Sequence, residues 1–185
     1  MNNHLSAKEC KHCGSCFAPV RPMQNVCSPI CASRLVKAAK KEQEEREKAK
    51  LKARKESVKS RQQWLVEAQS VVNKYVRLRD ADKPCCSCDR PANWGGQWHA
   101  SHYRSVGAAS AVRFNLWNIH KGCSICNNHL SGNISGYRPR IIERIGLDRF
   151  EWLESQNQVV KYDIEYLKRL KAVFTKKVKR LEGRK

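Results

Sequence analysis

The sequence predicts an α+β protein made of two small metal-held modules joined and flanked by helices. Three observations carry that expectation. Ten cysteines fall into two clusters, Cys10 to Cys31 and Cys85 to Cys126. Between them runs a stretch rich in Lys, Glu, Arg and Ala with no Gly or Pro. From Trp98 to about Lys121 the chain carries Trp, Val, Phe and Ile runs with turn-like Gly107 and Asn115, the pattern of short strands.

The first module, residues 1–33, holds Cys10-x2-Cys13 followed by Cys27-x3-Cys31. Zinc takes four soft ligands in a tetrahedron, and a two-residue gap lets one turn present two sulfurs to one ion. Four thiolates leave no open position for water, so this zinc is expected to be structural. Cys16 is the spare. Lys11, Arg21 and Arg34 give the knuckle a basic surface.

Residues 34–62 are expected to be a basic helix. From Ala32 to Gln62 there are 12 Lys/Arg and 5 Asp/Glu, an excess of +7, and strong helix formers dominate. Apolar residues are too sparse for a buried stripe, which suits a solvent-bridging or phosphate-tracking helix.

Residues 63–150 form the second module with the helix that precedes it. Trp64, Leu65, Ala68, Val71, Val72, Tyr75 and Val76 recur at helical spacing and predict an amphipathic helix ending before Pro84. Cys85-x2-Cys88 and Cys123-x2-Cys126 then offer a second structural zinc set, with Cys86 the spare. His99, His102, Asn118 and His120 lie between these pairs, and Asn127 and His129 follow. Gly132 and Gly136 predict a loop, and Ile141, Ile142 and Ile145 a helix. In residues 151–185, Ile164, Leu167, Phe174, Val178 and Leu181 follow spacings of three and four, with Lys171 in the remaining seam position. Such a stripe fits a dimer seam or an intramolecular packing face.

Charge narrows the partner. Lys+Arg 37 against Asp+Glu 17 leave a net +20, which favours a polyanion, with nucleic acid the leading candidate. The start has no apolar leader-like run and no stretch approaches a bilayer span, so a cytoplasmic protein with metal-bound rather than bridged cysteines is expected. No Asp or Glu occurs between Asp89 and Glu143. A cluster of carboxylates holding two ions about 3.5–4 Å apart is therefore excluded from that stretch. Neutral His and Asn side chains suit one divalent ion, and an imidazole serves as general base near neutrality.

The run His99-Ala-Ser-His102-Tyr103-Arg104, the segment Asn118-Ile119-His120-Lys121-Gly122-Cys123-x2-Cys126-Asn127-Asn128-His129, and then Ser131-Gly132-Asn133 resemble the phage Rap/NinG recombination endonuclease family. The resemblance runs from the first knuckle through Ile145-Gly146 and is weak in the last helix. It implies an HNH-like ββα-metal core and a structure-selective endonuclease acting on branched DNA such as Holliday junctions and D-loops. His102 would activate water and Asn118 would orient that histidine. Asn127, His129 and His99 would hold magnesium or manganese, with His99 replacing the usual ligand where Ser101 stands. Arg104, Arg113 and Lys121 would bind flanking phosphates. Symmetric cutting of a junction implies a homodimer, for which the Ile164 to Leu181 seam is the economical place. The other classes these residues permit are a non-catalytic zinc-stabilised nucleic-acid-binding protein and a coiled-coil assembly factor.

Overall fold

The structure is a computed structural model that describes residues 6–183. It is a mixed α+β fold with two small sheets, and the chain divides into two compact units, residues 1–59 and 60–185.

In the first unit, β1 (Lys8–Glu9) pairs antiparallel with β2 (Cys16–Phe17), and α1 (Pro29–Ser57) follows. The helix starts at Pro29, ahead of the expected 34. Ser28 caps it by accepting the Cys31 N–H, and Pro29 stands at its first position, where a missing N–H costs nothing. Cys31 thereby lies in the first helical turn. The far end also differs from expectation, because α1 stops at Ser57. Ser60 and Gln63 form a reciprocal capping box that opens a new helix, so the break needs neither Gly nor Pro.

The second unit is built around a ribbon of β3 (Trp98–His102) and β4 (Ile119–Cys123), antiparallel with Trp98 opposite Cys123 and His102 opposite Ile119. One face carries Ala100 and Ile119 into a core with α2 (Arg61–Arg79) and α5 (Ile164–Glu182). Trp64, Ala68, Val72 and Val76 of α2 meet Leu167 and Phe174 of α5, and Tyr75 packs edge-on to Phe174 at 5.1 Å. The other face meets α3 (Ile134–Ile145), followed by α4 (Leu147–Ser155), where Tyr137, Ile141, Phe150 and Leu153 form a second core with Tyr103 and Val112. Each large side chain buried in these layers contributes about 1.5–3 kcal/mol.

Three expectations change here. The apolar stripe of α5 is covered by α2 of the same chain, so it is not a dimer seam. Lys171, the charged position in that stripe, pairs with Glu67 of α2 at 2.7 Å and lies over the Trp64 ring at 5.1 Å. Gly136 belongs to α3 rather than a loop, and a Cβ there would strike the Ser87 carbonyl. The boundary placed after residue 150 falls inside α4, a helix the sequence reading passed over.

α2 is anchored to the ribbon by a buried ion pair. Asp80, fully buried, accepts from Arg79 Nε at 2.9 Å and Nη2 at 2.6 Å, and from the Lys121 backbone N–H at 3.2 Å. Arg79 also donates to the carbonyls of Leu116 and Ile119 at 3.2 and 2.8 Å. Burial alone would raise the Asp80 carboxyl, but the Arg79 guanidinium outweighs it and holds the group at about 2. No described helix is long and apolar enough to cross a membrane.

Candidate metal centres and active site

Two sets of four cysteines place their sulfurs within 4.8 Å of one another: Cys10, Cys13, Cys27 and Cys31, and Cys85, Cys88, Cys123 and Cys126. A tetrahedral zinc with Zn–S of about 2.3 Å sets neighbouring sulfurs about 3.8 Å apart. The observed separations are 3.6 Å for Cys13–Cys27 and Cys27–Cys31, and 3.9 Å for Cys88–Cys123. Both sets therefore fit zinc, and among the described residues no other group of three His, Cys, Asp or Glu does so.

Backbone N–H groups point at several of the sulfurs. Cys10 Sγ accepts the Cys27 N–H at 3.4 Å. Cys85 Sγ accepts from Ser87 and Cys123 at 3.4 and 3.3 Å, and Cys123 Sγ from Cys126 at 3.4 Å. A hydrogen bond with Cys86 drives the Cys85 thiol down to about 3 against the effect of burial, while the same bond keeps Cys86 protonated. Cys85 belongs to the four-sulfur set, and Cys86 packs in the core with Tyr137. Arg90 Nη1 stands 3.2 Å from Cys88 Sγ and 3.6 Å from Cys123 Sγ, where it offsets part of a four-thiolate charge.

The second cluster pins three pieces of chain: the Cys85 turn, the end of β4, and a π-helical turn, Ile125–His129. Beyond that turn, Ser131, Gly132 and Asn133 all have positive φ, of 48°, 90° and 46°. Such a run is costly for Ser and Asn and persists only when its surroundings hold it. Here Gly132 N–H donates to Cys126 O at 2.8 Å, Ser87 Oγ to Gly132 O at 2.9 Å, and Asn133 Nδ2 to Ser87 O at 2.6 Å.

The ribbon beside the second cysteine cluster sets the polar side chains between the cysteine pairs. The family model described as "Bacteriophage Lambda NinG protein" matches residues 2–184. The chain belongs to the NinG family. Protein ninG of Escherichia phage lambda is 38% identical, over 95% of this chain and 94% of its own length. Protein ninG of Salmonella phage P22 is 38% identical over 94% and 93%, and that of Escherichia phage 933W is 37% identical over 95% and 94%. No solved structure matches the chain.

In this NinG chain, alternation along β3 divides the expected site residues between the two ribbon faces. His102 ends the strand. Its Nε2 lies 2.9 Å from the Arg113 carbonyl oxygen, which can only accept, so Nε2 carries the proton and Nδ1 of the neutral ring is the free base. Burial lowers its pKa below the ordinary imidazole value, against the opposing pull of that carbonyl. Ser101, one residue earlier, faces the other way. Its hydroxyl donates to Asn127 Oδ1 at 2.8 Å. Gly122 lies beneath it, where a Cβ would strike the Ser101 hydroxyl.

His99 shares the Ser101 face and leaves a buried Nε2 without a hydrogen-bond partner. His129 is exposed at the end of the π turn. His120, opposite Ser101, is structural: its Nδ1 meets the Tyr137 hydroxyl at 3.0 Å, which donates on to Ser101 O at 3.1 Å. Burial, reinforced by Arg79, pushes His120 down to about 3.

Asn118 is fully buried but its carboxamide does not reach the His102 ring. It accepts the Arg104 N–H at 2.7 Å and donates to the carbonyls of Arg104 and Val112 at 3.0 and 3.1 Å. It therefore clamps both ends of the loop whose next residue, Arg113, holds His102. Among the expected phosphate ligands, Lys121 is turned inward by strand alternation, with Nζ on Ala81 O at 2.6 Å and over Trp98 at 4.3 Å. Arg104 is tied to Glu154 O and Asn157 Oδ1, both at 2.6 Å. Arg113 donates from Nε to Gln69 at 2.9 Å and lines two surface cavities.

The sequence reading missed Asp80, Arg79 and Tyr137. The Arg79-Asp80 pair offers no motif, and Tyr137 reads as one helical aromatic among many.

Proposed function

We propose that this chain is a metal-dependent endonuclease with an HNH-like ββα-metal core, hydrolysing phosphodiester bonds in branched DNA recombination intermediates such as Holliday junctions and D-loops. The single observation that carries the reading is the tautomer of His102. Its Nε2 proton is committed to Arg113 O, and its Nδ1 is left as a neutral base by burial. A core histidine serving only the fold would gain more from partners on both nitrogens.

In this reading Nδ1 of His102 takes a proton from water, and the resulting hydroxide attacks phosphorus in line. Asn118 acts by fixing the loop that fixes the ring. The donors that would hold a hard divalent ion are Asn127 Oδ1, the Ser101 hydroxyl bonded to it, and the orphaned Nε2 of His99 on the same strand face, with His129 two residues after Asn127 in the π-helical turn. Magnesium or manganese held there would supply positive charge for the phosphate oxygens, and because Ser101 and His102 are neighbours that face opposite sides of the ribbon, the scissile phosphate would have to sit at the end of β3 to meet both. Neutral donors leave that charge undiminished, which suits a polyanionic substrate.

A homodimer belongs to this proposal because paired cuts need two active sites, but it must use a surface other than the covered stripe of α5.

Labelled linear, forked, D-loop and four-way DNAs incubated with zinc-loaded protein test the reading. Nicking of branched DNA on adding magnesium or manganese, lost in His102→Ala while binding persists, is the expected result. Binding without metal-dependent nicking would instead identify a non-catalytic zinc-stabilised DNA-binding protein.

A further inference from the structure

Arg113 holds His102 through its backbone, and its side chain stands between two cavities on the surface of the second unit. The first, of about 300 Å³, has apolar walls from Leu65, Val160 and Tyr162, with Arg61, Arg113 and Lys161 at its rim. The second, of about 320 Å³, lies beside Gln69, Asn73 and Arg77 and again touches Arg113. Arg61 and Leu65 line the first cavity and Gln69, Asn73 and Arg77 the second, a row that advances about 24 Å along α2 while winding about 160° round it.

The first cavity is built rather than incidental. The segment between α4 and α5 that makes one wall is stitched to the turn beneath it. Val160 N–H donates to Ser110 Oγ at 2.7 Å, Tyr162 OH to Ser110 O at 2.9 Å, and Ala111 N–H to Gln158 O at 3.2 Å.

Charge identifies the occupant. The residues lining the two cavities include the cations Arg61, Arg77, Arg113 and Lys161 and no carboxylate. Cations around an apolar recess match a phosphate chain that also presents flat apolar faces. A duplex keeps its bases stacked inside and cannot place one in a recess of this size. An unpaired strand can, with its bases turned out and its phosphates along the cations.

We propose that the surface around the first cavity is a track for an unpaired DNA strand, which seats one unstacked base between Leu65, Val160 and Tyr162 and lays its phosphates on Arg61, Lys161 and Arg113. Building on the endonuclease reading, the track gives the branch selectivity a physical source: only DNA with an unpaired segment engages it, and Arg113 then brings that segment beside His102.

The test is binding by full-length zinc-loaded protein, without added magnesium or manganese, so that it does not depend on cleavage. Fluorescence anisotropy compares a single strand, a fork with an unpaired arm, and a fully paired linear duplex. The double variant Arg61→Ala/Lys161→Ala is expected to bind the first two at least tenfold more weakly and the duplex within twofold of wild type. The salt slope on the single strand should fall by about 1.4, two phosphate contacts at about 0.7 each. A 2-aminopurine base in the unpaired arm should brighten on binding to wild type and not to Val160→Trp, which fills the recess. Equal losses on all three DNAs, or none, would overturn the track. So would light scattering in which Val160→Trp splits a wild-type dimer, since the face would then be an interface between copies. If the variants behave as expected but no metal adds nicking, the endonuclease reading fails and the track stands.

Discussion

His102 Nε2 and the Arg113 carbonyl oxygen stand 2.9 Å apart, and this contact determines which ring nitrogen is free to work as a base. Burial shifts the ring's pKa below 6.5, so its neutral form is the populated one at neutral pH. We expect kcat/KM for nicking to fall only on the acid side, with an apparent pKa below 6.5 and a plateau above it. An NMR titration of the His102 ring checks the assignment independently. A pKa at or above 6.5, or a proton resident on Nδ1, would count against the proposed role.

His120 makes a separate prediction about stability. Its folded pKa is depressed to about 3 from an ordinary 6.5, so between those values the unfolded chain binds a proton that the folded one refuses. Its contribution is present above about 6.5 and is lost as pH falls toward 3. His120→Gln should flatten the dependence of Tm on pH across that window, read by circular dichroism.

Asp80 is a buried carboxylate between Arg79, Lys83 and the Lys121 N–H. Removing it leaves the half-buried Arg79 without its counter-charge. Asp80→Ala should destabilise the second unit by about 3–5 kcal/mol, measured by urea unfolding. A loss under about 1 kcal/mol would show that Arg79 finds water instead.

Phe174 is buried against Tyr75 and the α2 core. Phe174→Ala should cost about 3–5 kcal/mol of stability through the cavity it leaves. Sedimentation should show the same mass before and after, because the stripe packs within one chain. The half-exposed Glu67–Lys171 pair should couple by no more than about 1 kcal/mol in a double-mutant cycle.

Zinc content separates ligand from spare. Cys126→Ser should lower bound zinc by about one ion per chain and loosen the Ser131-Gly132-Asn133 turn that Cys126 O supports. Cys86→Ser should leave zinc content unchanged, since Cys86 is a protonated core thiol. Elemental analysis of the purified variants decides both.

Much of this architecture could be read from residue order, because its determinants are local. Cysteine pairs separated by two or three residues can present both sulfurs to one ion, and the spacing of Trp64 to Val76 puts apolar side chains on one helical face. The Ser60–Gln63 capping box was equally legible but lay hidden within a run of helix formers. α4 is a short helix that Gly146, at φ 84°, separates from α3, and it buries only Phe150 and Leu153.

Sequence by itself determined the two four-cysteine sets, the basic balance, the membership of a phage family and the cluster of His and Asn around the second cysteine set. Tertiary structure alone decided what those polar groups face. Strand alternation sent Lys121 inward and put His102 and Ser101 on opposite sides of one ribbon. The α2–α5 contact turned a dimer-like stripe into an internal core. The proton on His102 was assigned by a carbonyl eleven residues away. Spacing along a chain reports which side chains share a face, but the partner on that face comes from distant segments brought together by folding.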